Sequence, residues 1–250
     1  MPRALITGGL GAIGAATARR LARDGWVADL VDLADEATPA QAEMIASIGA
    51  TYTRLDVTDH DSVASYLDAS APLDAVIGVA GIGDTAPFLE QTMTGWRRVF
   101  EINLVANMFL TQQAAKRWIA AESGGAVVLV TSWIDQRPWP GTVAYSAAKA
   151  ALSQMARSAA LELAPYGIRV NVIAPGVLGE GMAGEEAKRD PEYARRIATS
   201  VPLGRLQTAE DVAEGIAFLV GPGGQYMTGA RLVMDGGTTL VSGAGVLGRS

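Results

Sequence analysis

The stretch Thr7-Gly8-Gly9-Leu10-Gly11-Ala12-Ile13-Gly14 follows the apolar run Ala4-Leu5-Ile6 and passes without a break into helical spacing from Ala15 to Arg23. The glycines let the backbone fold back and approach a pyrophosphate, whose charge is held by free amides at the helix N-terminus. Gly9, Gly11 and Gly14 satisfy GxGxxG, a weak signal alone and a much stronger one between a strand and a helix. A merely tight strand–helix turn is the alternative.

Aliphatic runs recur at Ala4-Thr7, Val27-Val31, Thr51-Leu55, Ala75-Val79, Ala126-Thr131, Arg169-Ile173 and Ala230-Met234. Helical spacing fills Ala15-Arg23, Gln41-Ile48, Ser62-Ala69, Trp96-Ala121, Ser146-Leu163 and Ala209-Val220. Strands apolar on both faces, alternating with helices, predict an α/β fold: a Rossmann-like, doubly wound parallel sheet of about seven strands with helices on both faces. No linker or repeat divides the chain, so residues 1–250 read as one dinucleotide-binding domain. Gly176-Val201 is too long for an ordinary connection and reads as a mobile substrate lid, or as a helical excursion packed on the surface.

Composition removes several chemistries. With 49% hydrophobic and 18% charged residues, the chain can bury a large core. It has no cysteine and one histidine, His60, which leaves no disulfide, no thiolate or multi-histidine metal site and no cysteine nucleophile. Twenty basic against 26 acidic residues argue against a nucleic-acid surface. Glycine interrupts the first apolar run too early for a signal peptide, and no window approaches the roughly 18 apolar residues of a membrane helix. The expectation is a cytoplasmic protein with a small-molecule partner and neither membrane nor metal.

Asp32 ends the second run in Leu30-Val31-Asp32-Leu33. A carboxylate there accepts from both adenosine ribose hydroxyls and repels a 2'-phosphate, and no Arg or Lys stands at Leu10, Gly11 or Leu33 to reverse this. The prediction is NAD over NADP, with a strand-end cap as the plainer reading of Asp32. Asp56, in Leu55-Asp56-Val57-Thr58, is placed to accept from an adenine amino group or to open a helix as N-cap. His60 reads as solvated surface.

Ser132 follows the strand Ala126-Val130, so its hydroxyl lies at the strand's C-terminal end, where such sheets place ligands. Tyr145 and Lys149 are four apart at a helix start and share a face. A phenol, with pKa near 10, is a poor base at neutral pH; an ammonium one turn away pulls it down. A Tyr/Lys pair alone is more often plain surface, but beside a dinucleotide turn and a strand-end serine it reads as a proton-transfer centre.

With these motifs in order, the chain resembles the short-chain dehydrogenase/reductases from TGGLGAIG through Asp32, Leu55-Asp56-Val57-Thr58 and YSAAK, a YxxxK match, to IRVNVIAPG and TGARLVMDGG. The resemblance implies Tyr145 as general acid/base, Ser132 polarising the substrate oxygen, Lys149 holding the nicotinamide ribose, and Asn103 anchoring a proton-relay water. Read on its own, Asn103 is a satisfied buried amide. The implied cofactor contacts are Gly8, Leu10, Gly11, Ile13, Gly14, Asp32, Leu33, Asp56, Val57, Val79, Ala80, Gly81, Tyr145, Lys149, Pro175, Gly176 and Val177. Implied too are NAD(H)-dependent interconversion of a secondary alcohol with its ketone or lactone, and dimers or tetramers built on Ser146-Leu163 and Trp96-Ala121. A catalytically silent NAD-sensing protein of the same fold is the alternative.

Two departures stand out. Where the family carries NNAG, this chain has Gly78-Val79-Ala80-Gly81, and Glu180 replaces a threonine that bonds the carboxamide. Glu180 is therefore expected to face substrate or solvent. Trp133, Asp135, Gln136, Arg137 and Trp139 lie between Ser132 and Tyr145. Flat apolar faces beside hydrogen-bonding groups suit a sugar or cyclic polyol, with Ser132, Trp133, Asp135, Trp139 and Glu180 as substrate contacts; loop packing or a subunit contact is the plainer role for both tryptophans. The glycine-rich tail Val241-Ser250 is left open.

Overall fold

In the computed structural model, which describes residues 1–180, Gly184, Arg189, Pro191, Glu192 and 201–241, strand residues alternate between two apolar layers. Leu5, Val31, Val76, Leu129, Val170 and Val172 face one side, against Val63, Leu67, Leu110, Trp118, Leu152 and Ala156. Ala4, Ile6, Leu30, Ile77, Val128 and Ile173 face the other, against Ala18, Leu21, Val212, Ile216 and Leu219. A period of two buried on both faces is the pattern of a sheet sandwiched between helices.

Among the described residues the strands are β1 Arg3–Thr7, β2 Val27–Asp32, β3 Thr51–Arg54, β4 Ala75–Gly78, β5 Gly125–Val130, β6 Ile168–Pro175 and β7 Arg231–Met234. They form one sheet in the order β3-β2-β1-β4-β5-β6-β7, every pair parallel. The helices that bear on the sheet and the site are α1 Ala12–Arg23, α2 Pro39–Ser47, α3 His60–Ala69, α4 Met93–Phe100, α5 Ala106–Ala120, α6 Val143–Leu163 and α7 Ala209–Val220. Helices α3, α5 and α6 cover one face, α1 and α7 the other. Strand order reverses between β1 and β4, which opens a crevice beyond their C-terminal ends.

One helix differs in kind from expectation. The helix anticipated over Trp96-Ala121 is broken by a π turn at Glu101–Val105, closed by the Ala106 amide on the Glu101 carbonyl. Its cause lies in Asn103, whose Nδ2 donates to the Val99 and Ile82 carbonyls at 3.0 and 2.9 Å and so competes with the helical ladder. The anticipated lid over Gly176-Val201 falls, from 181 to 200, almost wholly outside the described residues, as does the tail from 242 onward. Among the described residues no helix is long and apolar enough to cross a membrane.

Candidate active site

The turn after β1 is shaped by backbone contacts that exclude side chains. Gly8 sits at φ 64°, its carbonyl accepts from the Gly11 amide at 3.0 Å, and a Cβ on Gly14 would stand 2.2 Å from that carbonyl. Thr7 Oγ1 accepts from the Val79 and Ala80 amides at 3.2 and 3.1 Å, drawing Val79-Ala80-Gly81 after β4 against the β1 turn. Helix α1 opens on Gly11 with no side-chain cap and no acid in its first turn. By contrast α2, α3, α4 and α7 begin on Thr38, Asp59, Thr92 and Thr208, each accepting from its own helix. Like α6, α1 therefore starts without a side-chain acceptor on its first amides, and Ile13 and Gly14 lie in that first turn beside the crevice.

Asp32 ends β2 beside this turn, its Oδ2 accepting from the Leu10 amide at 3.1 Å and its Oδ1 from Leu33 at 2.8 Å. Gln41, which sequence reasoning missed, completes the support. Its Nε2 donates to the Leu10 carbonyl at 2.9 Å while its Oε1 accepts from the Thr38 amide, so both sides of Leu10 are held. The signal was legible: Thr38 and Gln41 stand at the capping-box spacing. Asp56 accepts from Thr58 N and Oγ1 at 2.9 and 2.7 Å in a local turn around the half-buried Val57, and it is Asp59 that caps α3. His60 is not solvated surface: half-buried, its ring stacks on Phe109 at 4.2 Å, with Nε2 3.9 Å from Glu101 Oε1.

The missing strand asparagine has a counterpart on a helix. A Cβ on Gly78 would stand 2.1 Å from Oδ1 of Asn107, so glycine at 78 makes room for an amide delivered by α5. That amide is buried, and its Nδ2 donates to the Asn103 carbonyl at 3.1 Å, bracing the π turn. Asn103 is fully buried; both its Nδ2 bonds go to carbonyls, and its Oδ1 has no hydrogen-bond partner among the described residues. A Cβ on Gly81 would lie 2.6 Å from that oxygen and 3.4 Å from Lys149 Nζ, so Asn103 and Lys149 converge on one space beside Gly81.

Helix α6 brings Tyr145 and Lys149 to the end of β5. Lys149 Nζ lies 5.6 Å from the Tyr145 ring centroid and donates to the Val130 carbonyl at 2.8 Å. Burial lowers the ammonium from 10.5 to about 8, against a raising influence from the Asp135 carboxylate. It therefore stays a cation at neutral pH beside the phenol. Ser132, buried at the first residue beyond Thr131, accepts from the Ile134 amide at 3.4 Å.

The loop between Ser132 and Tyr145 separates into two groups. Trp133 and Trp139 meet edge to face at 5.2 Å and cluster with Ile134, Val177, Leu206 and Tyr145 in an apolar wall. Asp135 turns inward: its buried carboxylate pairs with Arg231 at 2.5 Å and accepts from Ser153 Oγ at 2.5 Å. Arg137 donates to the carbonyls of Thr238, Thr239 and Val241. Asp135 is thus committed to protein partners instead of facing a substrate. Glu180 is exposed, as expected of a residue that faces substrate or solvent, and its Oε1 accepts from the Ala209 amide at 2.8 Å at the start of α7. Beyond Pro175, the Gly176 amide donates to the Met234 carbonyl and to Gln207, and a Cβ there would stand 2.6 Å from Asp235 Cα. Asn107 and Arg231 were also missed; the signals were an amide one helical turn after Asn103 and an arginine opening the apolar strand Arg231-Leu232-Val233-Met234.

A glycine-shaped turn, a strand-end acid and a Ser/Tyr/Lys cluster share the C-terminal edge of the sheet, and known proteins share this chain's pattern. It is 39% identical over 244 residues to the cis-4-hydroxycyclohexanecarboxylate dehydrogenase of Sinomonas cyclohexanicum, covering 95% of this chain and 96% of that one. It is 35% identical over 240 residues to the 2,5-dichloro-2,5-cyclohexadiene-1,4-diol dehydrogenase LinX of Sphingobium indicum, covering 94% of each. A solved structure, ElxO with NADP bound, superposes with a TM-score of 0.88 at 25% identity, over 96% of this chain and 99% of that one. The family model described as enoyl-(acyl carrier protein) reductase matches residues 9–239, and with that span matched the chain belongs to the short-chain dehydrogenase/reductase family of oxidoreductases.

Proposed function

We propose that the chain interconverts a secondary alcohol on a six-membered carbocycle and its ketone, with NAD as the dinucleotide and Tyr145 as general acid/base. One observation carries the substrate class. Trp133, Trp139 and Val177 form an apolar wall around Tyr145, while Asp135 and Arg137, the groups that favoured a sugar, are engaged inside the protein. A hydroxylated ring with apolar faces suits that wall better than a sugar does. Two relatives named for cyclohexane or cyclohexadiene alcohols support the same class.

The residues present fit a dinucleotide. The uncapped start of α1 suits a pyrophosphate, Asp32 suits two ribose hydroxyls, and Asn103 Oδ1 is a buried acceptor in want of a donor. When bound, the dinucleotide supplies the hydride acceptor. Ser132 Oγ holds the substrate oxygen. Tyr145 takes the alcohol proton on its hydroxyl oxygen, and the Lys149 ammonium favours the phenolate that does so. Asp32 disfavours a 2'-phosphate, which supports NAD over the NADP found in the ElxO structure.

A panel of cyclohexanols, butan-2-ol and glucose, followed by nicotinamide absorbance with NAD and NADP, tests this. The cyclohexanols with NAD should give the highest kcat/KM, and Tyr145→Phe should abolish turnover while NAD still binds. Glucose as the best substrate would overturn the carbocycle assignment.

A further inference from the structure

We infer that Asp135 is a positioning residue that fixes the Ser132 hydroxyl relative to Tyr145 through a buried Ser153–Asp135–Arg231 network. The inference rests on the reading of Ser132 and Tyr145 as the pair that addresses one substrate oxygen.

These two residues reach the site from different elements. Ser132 lies two residues beyond the end of β5, Tyr145 belongs to α6, and residues 133–144 between them are mostly loop. A chain so connected does not by itself hold two hydroxyls within the tolerance that proton transfer demands. Asp135 bridges the gap. Its amide donates to the Ser132 carbonyl at 3.1 Å, in the same short turn. Its carboxylate, with no exposed side-chain surface, accepts from Ser153 Oγ, one helical turn beyond Lys149 and two beyond Tyr145 on α6. Arg231, at the start of β7, donates from Nε to both carboxylate oxygens at 3.1 and 3.0 Å, from Nη2 at 2.5 Å, and from Nη2 to the Ser132 carbonyl at 3.4 Å. Three elements therefore meet at one carboxylate.

Stability alone gives little reason for this arrangement. Removing both charges from water costs about as much as their attraction returns, and apolar replacements of buried pairs often hold a fold equally well. What a planar guanidinium on a carboxylate adds is a fixed direction and spacing. Here they are imposed on the turn that carries Ser132. Arg137, in the same loop, is tied to the carbonyls of 238, 239 and 241, so the segment from Arg231 onward holds the loop at two points.

The test compares Ser153→Ala, Arg231→Met and the double variant Asp135→Asn with Arg231→Met, using NAD and cyclohexanol. Arg231→Met strands a buried carboxylate and should lower Tm; the double variant should regain it. Catalysis should not follow stability. We expect kcat roughly threefold lower in Ser153→Ala and at least about tenfold lower in the double variant, with KM for NAD within about twofold of wild type. Wild-type kcat in the double variant overturns the inference, as does a kcat that recovers in step with Tm. Turnover by Tyr145→Phe overturns the catalytic reading itself. An inactive Tyr145→Phe beside a fully active double variant overturns the positioning role alone.

Discussion

Oδ1 of Asn107 stands 2.1 Å from the point a β-carbon on Gly78 would occupy, so the strand residue and the helix residue exclude one another's alternatives. Because Asn107 also donates to the Asn103 carbonyl, the space beside Gly78 is coupled to the π turn. Gly78→Ala should therefore cost about 1–3 kcal/mol as the amide is pushed from its place. Asn107→Ala should cost a similar amount through the lost hydrogen bond. Combined, the two should cost less than their sum, because the smaller side chain relieves the collision. Urea unfolding of the four proteins in the cycle measures this, and strict additivity would show that the sites are independent.

Gln41 holds the Leu10 carbonyl and closes the N-terminus of α2. Gln41→Ala should raise KM for NAD several-fold, leave kcat unchanged and lower stability by about 1 kcal/mol. Asp32→Ala should raise KM for NAD more strongly while improving use of NADP. Initial rates with both dinucleotides decide, and a fall in kcat without a change in KM would contradict the assignment for Gln41.

Lys149 gives stability a defined pH dependence. Its ammonium titrates at 10.5 ordinarily and at about 8 in the fold because burial disfavours the charge. Between these values the unfolded chain binds more proton than the folded one, so stability rises with pH across that window and its cost is greatest below pH 8. Raising pH from 8 to 10 should add about 2 kcal/mol from this residue. Above pH 10 the trend is opposed. Burial pushes the Tyr66 hydroxyl up to about 12, so its contribution is present below 10 and lost as pH rises through 12. Denaturant melts at pH 7, 8, 9 and 10 should show the slope in wild type and its loss in Lys149→Met; an equal slope in both would refute the origin.

Strand positions and sheet type were legible because burial on both faces leaves uninterrupted aliphatic runs such as Val27-Val31 and Ala126-Thr131. Five helices start two or three residues earlier than the apolar periodicity suggests, while α7 opens on Ala209 as expected. Apolar periodicity begins about a turn inside a helix, whereas its boundary is set by a cap such as Thr38 or Asp59, or by Gly11. The π turn left no mark, because nothing in Glu101-Ile102-Asn103-Leu104-Val105 shows where the Asn103 side chain will find acceptors. Residue identity likewise placed Asp135 and Glu180 near the right loops but not their partners. Arg231 lies 96 residues from Asp135, and Ala209 lies 29 from Glu180. Those pairings come from the sheet's crossovers and not from local pattern.

Arg231 opens the last strand of the sheet, while the carboxylate it compensates is fixed by residue 135. A growing polypeptide can assemble β1 to β6 and shape the Ser132 turn while most of β7 is still inside the ribosome, and through that interval Asp135 lacks its counter-ion. The centre built from residues 132 to 153 is thus finished only once Arg231 is in place. Chains interrupted before residue 231 should be the ones that quality-control proteases remove, and a release of β7 in the mature protein would loosen Ser132 before it disturbed the dinucleotide turn.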